Sequence, residues 1–273
     1  MMDWTDRHCR YFHRTLSKNT LLYTEMVTSP ALIKGNATHL LEFDKSEHPV
    51  ALQLGGSDPI ELAKAAVIGS KYGYDEINLN VGCPSDRVQS GTFGAVLMKT
   101  PEVVAKCCKE MIDAVDTEVT VKCRVGVDQQ NPDVTLPKFL EHISNAGVTR
   151  VIIHARKAIL SGLSPKQNRN VPPLNYELVY KMKELFPDLH LSLNGGVQSI
   201  QQAKSHLENG IDGVMIGRAA YQKPGEVLID VDKYIFNDET SEVTEKDVVK
   251  QMIPYIENQY KDGGKVSKIT RHM

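Results

Sequence analysis

The chain has 273 residues, 41% hydrophobic and 24% charged, proportions ordinary for a folded globular protein. A formal net charge of −2 excludes a generally basic nucleic-acid coat and leaves room only for a local basic face. Five cysteines without a Cys-x-x-Cys pair argue against a disulfide framework and for a reducing compartment, the cytoplasm, and no apolar run approaches the roughly 20 residues that a membrane span needs.

The opening Met1-Met2-Asp3-Trp4-Thr5-Asp6-Arg7 is polar at once and has no signal-peptide pattern. Short β-rich apolar runs then alternate with helical patterns. In chain order the first expected elements are strand Leu21–Thr24, strand Val50–Leu54, helix Pro59–Tyr72, strand Ile77–Asn80, helix Pro101–Val115 and strand Val119–Cys123. Helix Leu136–Ala146, strand Val151–His154, helix Tyr176–Phe186, strand Leu191–Asn194, helix Ser199–Asn209 and strand Val214–Ile216 follow, and an amphipathic helix Thr244–Tyr260 comes last. Pro59 and Pro101 suit first helical turns, with Asp58 and Thr100 as N-caps. Cys107 and Cys108 fall inside a helical pattern and read as packing residues.

Strand–helix units of this size imply a parallel sheet covered by helices. Polar residues recur where the strands end: Gln53, Asn80, Lys122 with Arg124, His154 with Arg156, Asn194 and Arg218. A (β/α)8 TIM barrel converges all its strand ends on one mouth, whereas an open doubly wound sheet would gather such residues at one crevice. Seven strands are counted. The two glycine-rich ends, Asn194-Gly195-Gly196 and Ile216-Gly217-Arg218, become strands seven and eight only if a first strand precedes Met1. The expected fold is therefore an α/β TIM barrel over residues 1–235 that lacks its first strand, followed by a partial helical region over 236–273.

The segment Asn78-Leu79-Asn80-Val81-Gly82-Cys83-Pro84-Ser85-Asp86-Arg87 puts a thiol just past an apolar strand, where Gly82 and Pro84 shape a sharp turn and Asn80 sits beside it. Alone, this is either a structural turn or a catalytic loop. The two glycine-rich strand ends could let backbone N–H groups approach phosphate oxygens, with Arg218 adding a charge-assisted contact, or be simple turns. Lys122 lies within a strand, where an ammonium is costly unless it meets an anion or polar cofactor or snorkels out at the mouth. His154 ends three apolar β-branched residues and is either a satisfied core histidine or a ligand group. Its neighbours favour the second reading. The histidines lack metal-ligand spacing and no metal is expected.

Together, Glu25-Met26-Val27, Gln53-Leu54-Gly55-Gly56, the Asn78–Pro84 segment, His154-Ala155-Arg156-Lys157 and Asn194-Gly195-Gly196 resemble the tRNA-dihydrouridine synthases. Asp3–Arg10 and Leu160-Ser161-Gly162-Leu163-Ser164-Pro165-Lys166 look like the A subgroup of that family, and the match, which runs to about Tyr221, returns weakly at Ile269–Met273. The resemblance implies an FMN-bearing barrel that reduces uridine in the tRNA D-loop, at positions 20 and 20a, with NADPH as reductant. It matches Cys83 to the proton donor, and Gln53, Lys122, His154, Asn194, Gly195, Gly196, Gly217 and Arg218 to flavin contacts. Asn80 matches a residue at the substrate uridine, and Lys166 and Arg169 match tRNA contacts. Arg156 and Lys157 add to the same basic loop. Met1 corresponds to the last residue of the family's first strand end, Ala-Pro-Met, which packs on the flavin. From this comparison the chain is expected to start after its first strand, to be marginally stable, to bind FMN weakly and to act as a monomer on tRNA, with no membrane partner. The open start leaves an earlier targeting segment undecided. Two other readings stand: an FMN barrel acting on free pyrimidines, of the dihydroorotate dehydrogenase type, and a non-catalytic RNA-binding fragment. The basic loop and the Cys-Pro-Ser-Asp-Arg continuation count against the first.

Overall fold

In the computed structural model, described over residues 1–85, 93–239 and 242–273, seven parallel strands pair strictly in sequence order. They are β1 (Leu22–Thr28), β2 (Val50–Gly55), β3 (Glu76–Asn80), β4 (Glu118–Arg124), β5 (Arg150–His154), β6 (His190–Asn194) and β7 (Gly213–Met215). The expected α/β barrel architecture is thus present as a curled, helix-covered parallel sheet, with β1 and β7 at its two edges among the described residues. The helices are α1 (Arg7–Leu16), α2 (Ser29–Ile33), α3 (Pro59–Tyr72), α4 (Pro101–Ala114), α5 (Pro132–Asn145), α6 (Tyr176–Leu185), α7 (Ile200–Glu208), α8 (Arg218–Gln222), α9 (Pro224–Leu228), α10 (Val231–Phe236), α11 (Glu245–Lys261) and α12 (Val266–Thr270). No helix among the described residues is long and apolar enough to cross a membrane.

Period-two alternation splits the sheet into two chemically distinct faces. Leu52 and Leu54 of β2, Ile77 and Leu79 of β3, Val121 and Cys123 of β4, Val151 and Ile153 of β5, and Leu191 and Leu193 of β6 are fully buried in the main apolar core. Helices contribute to the same core through Leu62 and Ala66 of α3, Cys107, Cys108 and Met111 of α4, and Phe139 and Leu140 of α5. The alternate residues are polar on most strands: Gln53, Asn78 with Asn80, Thr120 with Lys122 and Arg124, His154, and Ser192 with Asn194. This second face carries the functional groups.

The helix termini follow local rules. Asp58 accepts from the Glu61 amide at 2.8 Å and Gly73, at φ 88°, closes α3. Thr100 departs from the expectation. It stands at the N-cap position of α4, but its hydroxyl donates to the Leu97 carbonyl of the preceding turn at 3.4 Å instead of capping the helix. Helix α5 starts at Pro132, four residues ahead of the expected Leu136, because Asn131 caps it through the Asp133 amide at 3.1 Å. Strand β1 runs on to Thr28, beyond the expected Thr24, and its register slips between Tyr23 and Met26.

A second apolar cluster joins the two ends of the chain. Phe12 and Leu16 of α1 pack with Ala219 and Ala220 of α8, Val227 and Leu228 of α9, Val248, Met252 and Tyr255 of α11, and Ile269 of α12. Tyr11 stacks on Tyr255 with ring centroids 3.7 Å apart, and Trp4 stacks on Tyr221 at 4.3 Å. Asp6 caps α1 through the His8 and Cys9 amides and also accepts from Arg271 at 2.8 Å, with His272 at 3.0 Å.

Candidate active site at the strand ends

The parallel register sets which side chains meet. Asn80 pairs with Lys122, Arg124 with His154, His154 with Asn194, and Asn194 with Met215. All stand at the C-terminal ends of their strands, where (β/α)8 enzymes place their chemistry. One short hydrogen-bonded set follows from this row.

The Asn80 side chain organises the loop bearing Cys83. Its Oδ1 accepts from the Gly82 amide at 3.0 Å and from the Cys83 amide at 2.9 Å, so the side chain acts as a local cap for the turn. Its Nδ2 donates to Gln53 Oε1 at 2.8 Å. The Cys83 carbonyl accepts from the Ala95 amide at 2.9 Å, and the half-buried thiol lies 3.6 Å from Ser85 Oγ. Asp86 and Arg87, which continue the motif, lie outside the described residues. The other four cysteines are buried. Burial pushes the Cys107 and Cys123 thiols up to about 12, which leaves them inert at neutral pH.

Arg124 clamps this loop from the next strand. Its Nε donates to the Gly82 carbonyl at 2.8 Å, and its Nη1 donates to the carbonyls of Lys157 and Asn168, each at 3.0 Å. One buried guanidinium therefore ties the Cys83 turn to the 157–169 loop. Asn168, itself fully buried, holds the interior of that loop through four bonds, including the Ile159 amide at 2.7 Å and the Ile159 carbonyl at 2.8 Å.

Lys122 Nζ donates to Asn194 Oδ1 at 3.0 Å, and Asn194 Nδ2 donates to the Met215 carbonyl at 2.8 Å. Burial, reinforced by Arg124, lowers the Lys122 ammonium to about 8. His154 is buried, and its Nδ1 has no hydrogen-bond partner among the described residues. Burial holds its pKa well below the ordinary histidine value, with Arg124, Lys122, Arg156 and Arg218 pressing in the same direction. The imidazole is consequently neutral, and four cations surround it. A buried ring nitrogen that no described residue engages, close to several cationic side chains, suits hydrogen bonding to a polar ligand.

Gly195 and Gly196 adopt φ values of 108° and 78°. A Cβ at Gly195 would stand 3.0 Å from His154 Nε2, and one at Gly196 would stand 2.5 Å from the Tyr176 hydroxyl. Tyr176 in turn donates to the Gly195 carbonyl at 2.7 Å. Gly217, by contrast, has an ordinary negative φ of −111°, and the Met1 sulfur lies 3.4 Å from where its Cβ would be. Arg218 is already engaged. It donates to Asn170 Oδ1 at 2.7 Å and to the Arg169 carbonyl at 3.1 Å, tying α8 to the basic loop.

The basic residues of that loop divide by role. Lys157 donates to the Gln130 carbonyl at 2.8 Å and serves the loop itself, although its charge alone would suggest an RNA contact. Arg156 donates to the Pro172 carbonyl, and its Nε has no partner among the described residues. Lys166 and Arg169 are exposed. The structure therefore brings together Gln53, Asn80, Cys83, Lys122, His154, Asn194 and the Gly195–Gly196 turn, and sets Arg156, Lys166, Arg169 and Arg218 around the 156–170 loop. Arg124 stands out in the sequence as a polar strand-end residue beside Lys122 but without an assigned role, and Asn168 and Tyr176 do not stand out there. Only Arg124 carried a usable signal, its two-residue spacing from Lys122, which puts both on one face.

A parallel barrel-like sheet whose strand ends gather a thiol, amides, a neutral histidine and a buried ammonium defines a cofactor-assisted (β/α)-barrel enzyme rather than a binding scaffold. Comparison with known proteins resolves the class further. The model for the dihydrouridine synthase (Dus) family matches residues 1–273, and the chain belongs to that family. It is 55% identical to the tRNA-dihydrouridine(20/20a) synthase of Salmonella typhi over 274 residues, covering all of this chain and 82% of the relative. It is also 55% identical to the enzyme of the same name from Escherichia coli K12, covering 79% of that protein, and 51% identical to the one from Shewanella oneidensis, covering 81%.

Proposed function

We propose that the chain reduces uridine to 5,6-dihydrouridine in the tRNA D-loop, at positions 20 and 20a, with FMN as its flavin and NADPH as reductant. Dihydrouridine synthases are flavin-dependent tRNA-modifying enzymes. The observation that carries the reading is the cationic surroundings of His154, whose buried Nδ1 lacks a partner among the described residues while Cys83 stands on a neighbouring strand-end loop. These surroundings fit a flavin. Gln53, Lys122 and His154 offer donors and a cation to an electron-rich ring, and the Gly195–Gly196 turn, where a Cβ would run into His154, Leu174 or Tyr176, keeps its backbone close beside them. Gly217 and Arg218 complete the phosphate end, with Met1 packed on Gly217.

When bound, FMN would supply hydride chemistry toward C6 of the uracil ring, with NADPH as the reductant. The Cys83 thiol holds the proton for C5 on the other side of that bond, and the Asn80 cap on its amide keeps the turn in place. Asn80 also has amide hydrogen-bonding capacity for the uracil edge. The uridine must leave its stack to reach the thiol. Arg156, Lys166 and Arg169 line the loop that meets tRNA phosphates. Residues 1–235 are the flavin-bearing unit and 236–273 a helical region on the tRNA side, and the chain acts as a monomer in the cytoplasm.

The test is an absorption spectrum of the purified chain with FMN, followed by NADPH-dependent conversion of an unmodified tRNA transcript. Flavin bands that sediment with the protein and dihydrouridine at the D-loop are expected. Turnover of free uracil or dihydroorotate without tRNA, or tRNA binding without flavin uptake, would overturn the reading.

A further inference from the structure

The polar face of the sheet carries a buried carboxylate far from the chemistry. Glu76 lies at the N-terminal end of β3, four residues before Asn80, so roughly 13 Å separates them along the strand. Its carboxylate is buried and accepts from Thr120 Oγ1 at 2.6 Å, from the Tyr23 hydroxyl at 2.5 Å and from Arg150 at 3.3 Å. Thr120 Oγ1 accepts from Asn78 Nδ2 at 2.8 Å, Asn78 Oδ1 from Gln53 Nε2 at 2.9 Å, and Gln53 Oε1 from Asn80 Nδ2 at 2.8 Å. Asn80 Oδ1 then caps the Gly82 and Cys83 amides. Every donor in this series points toward Glu76.

An ionised carboxylate can only accept, a hydroxyl can do both, and each amide has one donating and one accepting end. The acceptor at the base therefore fixes the sense of every later bond. We infer that Glu76 is a positioning residue: through Thr120 and Asn78 it sets which amide atoms Gln53 and Asn80 present at the mouth, and so holds the Cys83 turn. Burial raises the Glu76 carboxyl, while Thr120, Tyr23 and Arg150 oppose that and keep the acceptor role. A relay reversed by a donor at position 76 would turn Asn80 so that its amino group, not its oxygen, faced the two loop amides, and that cap would be lost. The relay's effect on catalysis rests on the flavin and uridine reading above, but its geometry does not.

The experiment compares amide hydrogen exchange in the full chain without flavin for Glu76→Gln, Thr120→Val and Thr120→Ser. Glu76→Gln keeps volume but introduces a donor, and Thr120→Val keeps shape and cuts the relay, taking one donor from the Glu76 carboxylate while leaving Tyr23 and Arg150 on it. Exchange at Gly82 and Cys83 is expected to rise about five- to tenfold in both, the loss of roughly one hydrogen bond, and to return in Thr120→Ser. Val81, whose amide donates to the Lys122 carbonyl at 2.8 Å, is expected to stay protected. Unchanged exchange at Gly82 and Cys83, or an equal rise at Val81 that would mark general loosening, would overturn the inference. With FMN added, Thr120→Val is expected to weaken flavin affinity about tenfold, through the misdirected Gln53 amide. If the unaltered chain binds FMN but leaves tRNA unreduced while the exchange effect persists, the functional reading falls and the relay stands.

Discussion

Lys122 is the residue on which burial and chemistry pull against each other. Its ammonium costs free energy inside the sheet, and burial moves its ionisation down to about 8. The sign is definite. Below that pH the amine is charged in folded and unfolded chains alike; above it the folded protein loses the charge while the unfolded chain keeps it to about 10.4. The ligand-free protein thus gains stability between about 8 and 10, and loses affinity for an electron-rich ring over the same window. Flavin dissociation constants measured between pH 7 and 10 are expected to rise in the parent chain and to stay flat, at weaker affinity, in Lys122→Met. At Cys83 the expectation is kinetic. Cys83→Ala leaves flavin uptake and NADPH oxidation intact and slows uridine reduction by roughly 10²–10⁴, the usual share of general acid catalysis. Normal single-turnover rates in that variant would remove the thiol from the mechanism.

At the level of elements, the strands were easy to read and the loops between them were not. Buried apolar positions at period two, bounded by polar strand ends, are a local signal, so β2 to β7 fall within a residue or two of their expected limits. Helix α1 escaped because its buried face includes Cys9, Arg10, His13 and Arg14, polar residues that satisfy themselves only against distant partners. Arg14, for example, donates to the carbonyls of Glu47 and Pro49, more than thirty residues away. The site was legible for the same reason as the strands: Gln53, Asn80, Lys122, His154 and Asn194 each lie within two residues of a strand's C-terminal end. Arg124 and Asn168 fix the relative position of two loops, which no local pattern reveals. The Arg124 clamp yields a prediction at this scale. Arg124→Lys cannot reach the Gly82, Lys157 and Asn168 carbonyls together, since it lacks the planar fork. The variant is expected to lose about 1.5–3 kcal/mol of loop stability per bond forgone, discounted by replacement water, and to be cut faster by protease within residues 157–169. An unchanged cleavage pattern would show that Asn168 holds the loop unaided.

For the whole molecule, the decisive feature is that the two chain ends share one apolar cluster. The sheet's main core would stand without it, yet α8 and Arg218, which lead into the site, rest on α1 and α11 through Ala219 and Ala220. Asp6 is the polar pin of this junction. Burial alone would raise its carboxyl, but hydrogen bonds from His272, the Cys9 amide and Arg271 hold it well below the usual carboxylate range. A carboxylate with a depressed folded-state pKa stabilises the protein above about pH 4, its unfolded value, and that contribution is lost as pH falls below it. Asp6→Asn keeps the shape but removes the charge from Arg271 and His272. It is therefore expected to lower the thermal midpoint at pH 7 and to abolish much of the acid dependence of unfolding between pH 4 and 2. Met252→Ala, in the fully buried centre of the same cluster, should cost about 2–5 kcal/mol irrespective of pH. Calorimetry across that range separates the two. A pH-independent loss in Asp6→Asn would mean that the carboxylate acts as a helix cap alone, and that the apolar cluster by itself joins the chain ends beneath the site.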